Sequence, residues 1–149
     1  MTDLLVERVD GDADFQRLND WQHVHNVVVP PFHLSLHAVR ERAGRNHMEV
    51  AYADDVLVGC STVRPPEGDE AVVTVIARVL AEHRRQGFGE QLYARGLERA
   101  RQWGAGVIET LVLESNQDGL RFALKHGFVE VERYVLPGQT IPEIALQLS

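Results

Sequence analysis

The chain has 149 residues, 44% hydrophobic and 25% charged, with 15 Lys and Arg against 22 Asp and Glu and a formal charge of −7. That length fits one domain, residues 1–149, with a core large enough to fold without disulfide or metal staples. The acidic balance argues against a nucleic-acid-binding surface, no apolar run reaches the ~18–20 residues of a membrane span, and the lone Cys60 cannot form an intrachain disulfide.

The N-terminal Met1-Thr2-Asp3-Leu4 start lacks a basic, apolar leader, so the expected location is a reducing cytoplasm. Leu4–Val9 reads as a first strand. Asp12–His25 reads as a helix, with Phe15, Leu18, Trp21 and Val24 at helical spacing and Asp12 as its cap. Pro30-Pro31 breaks that pattern. A second helix is expected over Ser35–Ala43, with Gly44 just past its end. Met48–Ala53 and Val56–Val63 flank Asp54-Asp55 as a hairpin, and Ala71–Val79 is apolar on both faces, as a central strand is.

The next segment, Arg84-Arg85-Gln86-Gly87-Phe88-Gly89, joins that strand to a helix predicted over Phe88–Trp103. A glycine-bearing turn into a helix leaves backbone N–H groups unpaired at the positive end of the helix dipole, which suits a phosphate-like anion. Two arginines oppose that dipole unless an anion sits between them and the N–H groups. The spacing matches neither the dinucleotide fingerprint nor the P-loop, although a nucleotide-phosphate site is an alternative reading. Gly96 lies on the apolar stripe of the helix and predicts close packing on a sheet. Val107–Leu113 is a further strand, and Ser115 or Asn116 caps a short helix ending at Lys125. Val129–Leu136 and Ile144–Leu148 are placed to pair across Pro137-Gly138-Gln139. The order βααβββαβαββ argues for a mixed α/β fold built on one sheet.

Two signatures in this order resemble the GNAT superfamily of acyl-CoA-dependent N-acyltransferases. The first is a strand ending near Val79, followed by R/Q-x-x-G-x-G/A, here Arg84 to Gly89. The second is Asn116 with Phe122, Lys125, Gly127 and Phe128 at matching offsets. The resemblance covers nearly the whole chain. It implies a mostly antiparallel central sheet with one parallel, splayed strand pair and helices on both faces.

The resemblance also implies a site for acetyl-CoA as acyl donor, with no metal. Arg84, Arg85, Gln86, Gly87, Phe88 and Gly89 would hold the pyrophosphate. Arg78 and Val79 would pair with the pantetheine arm, Asn116 would reach it from the other side, and the Val79 N–H would face the thioester carbonyl. The implied reaction is acyl, most simply acetyl, transfer to a primary amine of a small molecule or peptide, without nucleic-acid or membrane partners. The chain departs from the family at Ala81, in place of a proline, and at Ala123. Many members carry at the latter position a tyrosine that protonates the departing thiolate. Ala123 therefore leaves open a non-catalytic acyl-CoA-binding or regulatory domain, and a homodimer is a further expectation.

The catalytic groups are otherwise unknown from the sequence. The candidates for proton transfer are Glu114 at a strand end, Tyr134 on a late strand and His33 in the Pro30–His33 loop. Each has an ordinary alternative as a solvated or core residue. His23 and His25 point to different sides of their helix and form no metal site. Cys60, Trp21 and Trp103 read as core.

Overall fold

The computed structural model describes residues 4–148. Seven strands form one sheet in the order β1-β2-β3-β4-β5-β7-β6. They are β1 (Leu5–Val9), β2 (His47–Ala53), β3 (Val56–Val63), β4 (Val72–Val79), β5 (Val107–Leu113), β6 (Phe128–Tyr134) and β7 (Glu143–Leu148). All neighbouring pairs are antiparallel except β4 and β5, which run parallel. The helices are α1 (Phe15–Val28), α2 (Leu36–Arg45), α3 (Phe88–Gln102) and α4 (Gln117–Lys125). The β2–β3 hairpin turns through Asp54 and Asp55, both with positive φ, a conformation that aspartate tolerates.

α1 starts later than the sequence predicts. Asp14, not Asp12, is its cap, its carboxylate accepting from the Arg17 N–H at 2.9 Å. The Asp12 N–H donates instead to Asp10, so that residue belongs to the turn before the helix. α2 is likewise longer than expected. Ser35 caps it, and the helix runs through Gly44 to Arg45, so Gly44 does not end it. Its exposed position lets it stay helical without packing cost.

α1 and α2 cover one face of the β1–β4 half of the sheet. Leu18, Trp21 and Val24 pack there with Met48, Val50, Cys60 and Leu80. Trp21 is buried, and its indole N–H donates to the Ser61 carbonyl at 3.2 Å. Burying such a ring contributes about 2–3 kcal/mol, and the hydrogen bond removes the cost of desolvating its N–H. Cys60 is fully buried and its thiol is pushed up to about 12, first by desolvation, which makes it a packing residue rather than a nucleophile.

α3 lies on the opposite face. A Cβ on Gly96 would stand 2.4 Å from Val75 Cγ1, so only glycine lets the helix approach β4 this closely. An ion pair between a half-exposed arginine and a buried glutamate also ties α3 to the sheet. Arg95 donates through both Nε (3.0 Å) and Nη2 (2.8 Å) to the buried Glu49 on β2. His47 stands 3.3 Å from the same carboxylate. Desolvation opposes ionisation of Glu49, but these bonds outweigh it and hold its pKa down at about 2.

Candidate functional site

The parallel pair β4–β5 positions the site. Its ladder joins Val72, Val73 and Thr74 to Val107, Ile108 and Glu109, and then stops. Beyond Thr74 the strands diverge, and a cleft of about 460 Å³ opens between them. It is lined from one side by Ala77, Arg78 and Val79 and from the other by Thr110, Leu111 and Val112. Asn116, Phe122 and Ala123 close the α4 side.

Register decides which backbone groups face the gap. Thr74 O accepts from Arg64 N, and Leu80 N donates to Val58 O on β3, each at 2.9 Å. Antiparallel pairing alternates, so the even-numbered residues of β4 turn their N–H and C=O toward β3. Val79 and Ala77 turn theirs toward the cleft. Arg78 sits opposite Cys60 in the ladder, so its backbone is spent on β3. It borders the cleft, but its side chain leaves on the α1 face, a distinction that sequence alone does not make.

The cleft runs on to the Arg84–Gly89 turn. Arg85 has φ +64 and Gly87 φ +84, so left-handed residues are spaced along the turn. That alternation curls successive N–H groups into a concave nest of the kind that binds anions. The first bond of α3 is Gln91 N to Gly87 O, and no side chain caps the helix. Among the described residues, the N–H groups of Arg85, Gln86, Gly87, Phe88 and Gly89 have no protein acceptor. Holding Arg85 left-handed costs roughly 1–2 kcal/mol, which a bound anion would offset.

Arg84 does more than supply charge. Its Nε donates to Val79 O (3.0 Å) and its Nη1 to Asp118 (3.1 Å), so it clamps the end of β4 to α4. Arg85, Gly87 and Gly89 line the cleft and Gln86 does not. The Phe88 ring is buried in the core, leaving its N–H as the part that faces the nest. Asn116 caps α4 by accepting from Gly119 N at 3.0 Å. Its carboxamide N–H₂ makes no hydrogen bond among the described residues.

The candidates for proton transfer lie off the cleft. Glu114 is taken up by Arg133 Nη1 at 2.7 Å. His33 is exposed beyond the Pro30–Phe32 turn. Tyr134 is half-buried opposite Glu143 on β7, and burial raises its phenol further above the usual range. Ala123 is 3% exposed in the cleft wall and has no proton to give. Among the described residues no cluster of three or more His, Cys, Asp or Glu is placed to hold a metal ion, and no helix is long and apolar enough to cross a membrane.

Tyr93, on the buried face of α3, also lines the cleft. Its ring packs edge-on against Phe122 and Phe128, and its buried hydroxyl has no hydrogen-bond partner. An orphaned buried hydroxyl is a net cost. Tyr93→Phe is therefore expected to stabilise the fold by about 1 kcal/mol, raising Tm by roughly 2–4 °C in calorimetry. A lowered Tm would mean that the hydroxyl is satisfied.

A mixed seven-stranded sheet with one splayed parallel pair and an N–H-lined turn beside the splay is the architecture of acyl-CoA-dependent acetyltransferases. The chain belongs to the acetyltransferase (GNAT) family, whose family model matches residues 12–128. No curated protein matches the sequence. Solved structures share the fold across nearly their full length. A protein from Desulfovibrio desulfuricans, described as an acetyltransferase of the GNAT family, has a TM-score of 0.78 and 16% identity, covering 99% of both chains. YncA from Salmonella typhimurium, described as an acetyltransferase and solved with acetyl-CoA, has a TM-score of 0.72 and 16% identity, covering 98% of this chain and 93% of its own. A GNAT family acetyltransferase from Elizabethkingia anophelis with acetyl-CoA bound has a TM-score of 0.71 and 14% identity, covering 98% and 97%.

Proposed function

We propose that this protein transfers the acetyl group of acetyl-CoA to a primary amine of a small molecule or peptide by direct attack on the thioester. The observation that carries this reading is the continuity of two features, the gap where β4 leaves β5 and the nest of free N–H groups at Arg85–Gly89. A pyrophosphate fits the nest, where Arg85 adds charge. An extended, amide-bearing arm fits the gap, because Ala77 offers strand-edge N–H and C=O groups and Val79 its N–H, the Val79 carbonyl being taken by Arg84. The arm then meets the Val79 N–H and the Asn116 carboxamide.

The chemistry follows from those groups. The amine nitrogen bonds to the acetyl carbon, the carbon–sulfur bond breaks, and the thiolate leaves. Negative charge builds on the carbonyl oxygen, and a fixed Val79 N–H lowers that barrier without reorganising. Two protons must move. A lysine-like ammonium with pKa ~10.4 must lose one before attack, at a cost of roughly 4–5 kcal/mol near pH 7, and the nitrogen must lose a second as the amide forms, which balances the one the thiolate gains. A thiol pKa of ~8.5 makes the thiolate a modest base that water can protonate, which is how Ala123 is compatible with turnover.

Ala123 favours a second reading, a domain that binds acyl-CoA without turning it over. Calorimetric titration with CoA and thiol release from acetyl-CoA across an amine panel separate the two. CoA binding with amine-dependent thiol release supports the transferase. Binding without release by any amine supports the second reading, and absence of binding defeats both.

A further inference from the structure

Three arginines on the face of the sheet opposite α3 have no assigned role. Arg78 lies opposite Cys60, which packs beneath α1, so its side chain leaves β4 on the α1 face. Arg64 continues the same alternation from Cys60 through Thr62, its N–H bonded to Thr74 O. Arg42 approaches from α2, and with Arg64, Arg45 and Asn46 it lines a surface cavity of about 470 Å³. None of the Arg42, Arg64 and Arg78 guanidinium groups forms a hydrogen bond or ion pair among the described residues. By contrast, Arg84, Arg95 and Arg133 all have carboxylate partners.

These three cations lie within Coulomb range of one another. Desolvation first, and like charge behind it, lowers the pKa of both Arg78 and Arg42. A half-buried guanidinium without a counter-charge is costly, and a cluster of them more so. The nearby carboxylates do not resolve this: Glu41 is paired with Arg45, Glu67 lines the Arg42–Arg64 cavity but pairs with neither arginine, and the third is Glu143. Burial, with Glu109 adding to it, raises its pKa, and Arg64 and Arg78 only offset that.

The cluster also adjoins the reacting position. Arg78 lines the cleft and immediately precedes Val79, the proposed donor to the thioester oxygen, but its side chain departs on the face away from α3. An acceptor entering on that face meets guanidinium groups on the β3–β4 side and Glu143 with Tyr134 on the β6–β7 side. That polarity suits a ligand carrying both an amine and an oxyanion.

We propose that the acceptor is an amine bearing a carboxylate, of the amino-acid class, whose carboxylate is held by Arg64 and Arg78. Arg42 adds charge from α2. Planar carboxylates match the fork of an arginine, and such pairs are the strong, oriented ones. The acceptor's amine is thereby fixed relative to the thioester, which is where positioning contributes to rate. This inference rests on the transferase reading and deepens it.

The test compares L-phenylalanine and L-methionine with the amines that lack their carboxyl groups. The full-length protein saturated with CoA is titrated calorimetrically with the N-acetylated form of each, and thiol release from acetyl-CoA is followed with the free amines. The carboxylated compounds are expected to bind at least tenfold more tightly and to give a correspondingly higher kcat/KM. Arg64→Gln should remove that preference and leave CoA affinity unchanged, and 0.5 M NaCl should shrink it. Release with the plain amines at equal or higher efficiency overturns the inference and leaves the transferase reading standing. So does a preference that survives Arg64→Gln. Tight, Arg64-dependent binding of the carboxylates without any thiol release supports the anion site and defeats the transferase reading. Neither binding nor release with the carboxylates defeats the anion site.

Discussion

Gly87→Glu is expected to weaken CoA binding by at least 100-fold in isothermal titration while the protein stays folded. Gly87 caps α3 with φ +84, and a Cβ there would meet nothing within 4 Å. The loss is therefore not a clash with the protein itself. Two terms remain. A non-glycine residue held left-handed costs about 1–2 kcal/mol. A carboxylate about 5 Å from a pyrophosphate costs about 3 kcal/mol per unit charge at an effective dielectric constant near 20. The second term alone exceeds the 2.7 kcal/mol that corresponds to 100-fold. Gly87→Asn separates the terms, because asparagine tolerates the left-handed region and adds no charge. Its affinity is expected to fall less than tenfold. Native CoA affinity in Gly87→Glu would remove the turn from the donor site.

What the sequence made legible follows from how local each signal is. The strands, the β2–β3 hairpin and the α3 stripe are written in periodicities of a few residues, so their existence was readable, and Gly96 announced its contact with β4. The cap of α1 was not, because Asp10, Asp12 and Asp14 offer the same chemistry and only backbone geometry selects among them. Gly44 does not locate the end of α2 for a related reason, since an exposed glycine marks a helix end or a solvated interior position equally well. The residues proposed for the donor side sit in two contiguous motifs, which is why sequence alone nominates them. The placement of Arg78 could not be read, because the face on which its side chain leaves β4 depends on register with β3. The meeting of Arg42, Arg64 and Arg78 depends on three separate elements. Glu49 and Arg95, 46 residues apart, meet only when α3 docks. Glu114 looked available from its position at a strand end, and only the pairing of β6 with β7 brings Arg133 onto it.

Stability is expected to fall by about 3 kcal/mol between pH 6.5 and pH 4 because of one histidine, His25. It sits in the last turn of α1, 4% exposed, stacked at 5.2 Å on Trp21. Its Nε2 lies 2.8 Å from the Phe32 carbonyl and must donate to it, which leaves the lone pair on Nδ1. Nδ1 is buried with no partner among the described residues. Protonation would place an N–H there with no acceptor, in an apolar slot near Arg78 and Arg42. Desolvation, with the charge of Arg78 next, accordingly lowers its pKa to about 4. In the unfolded chain the group titrates near 6.5. Between those values the unfolded state binds the proton and the folded state does not, so stability rises with pH across this window. The full contribution is present above 6.5 and is lost as pH falls toward 4. A difference of about 2.5 units at 1.36 kcal/mol per unit gives about 3 kcal/mol, a large part of a typical domain's stability. Urea unfolding at intervals from pH 7.5 to 4 should show this slope in the native protein. His25→Gln keeps an N–H for Phe32 O and has no titrating group, so its curve should be flatter above pH 4.5, where Glu49 does not yet titrate. Parallel curves for the two proteins, or an NMR titration that places His25 near 6.5, would overturn the assignment. The same ring ties α1 to the Pro30–Phe32 turn, close to the Arg42 and Arg78 proposed for the acceptor site. Protonating it should therefore loosen that turn before the sheet, and amide exchange at Phe32 and Leu34 should accelerate below pH 5 ahead of exchange in β4.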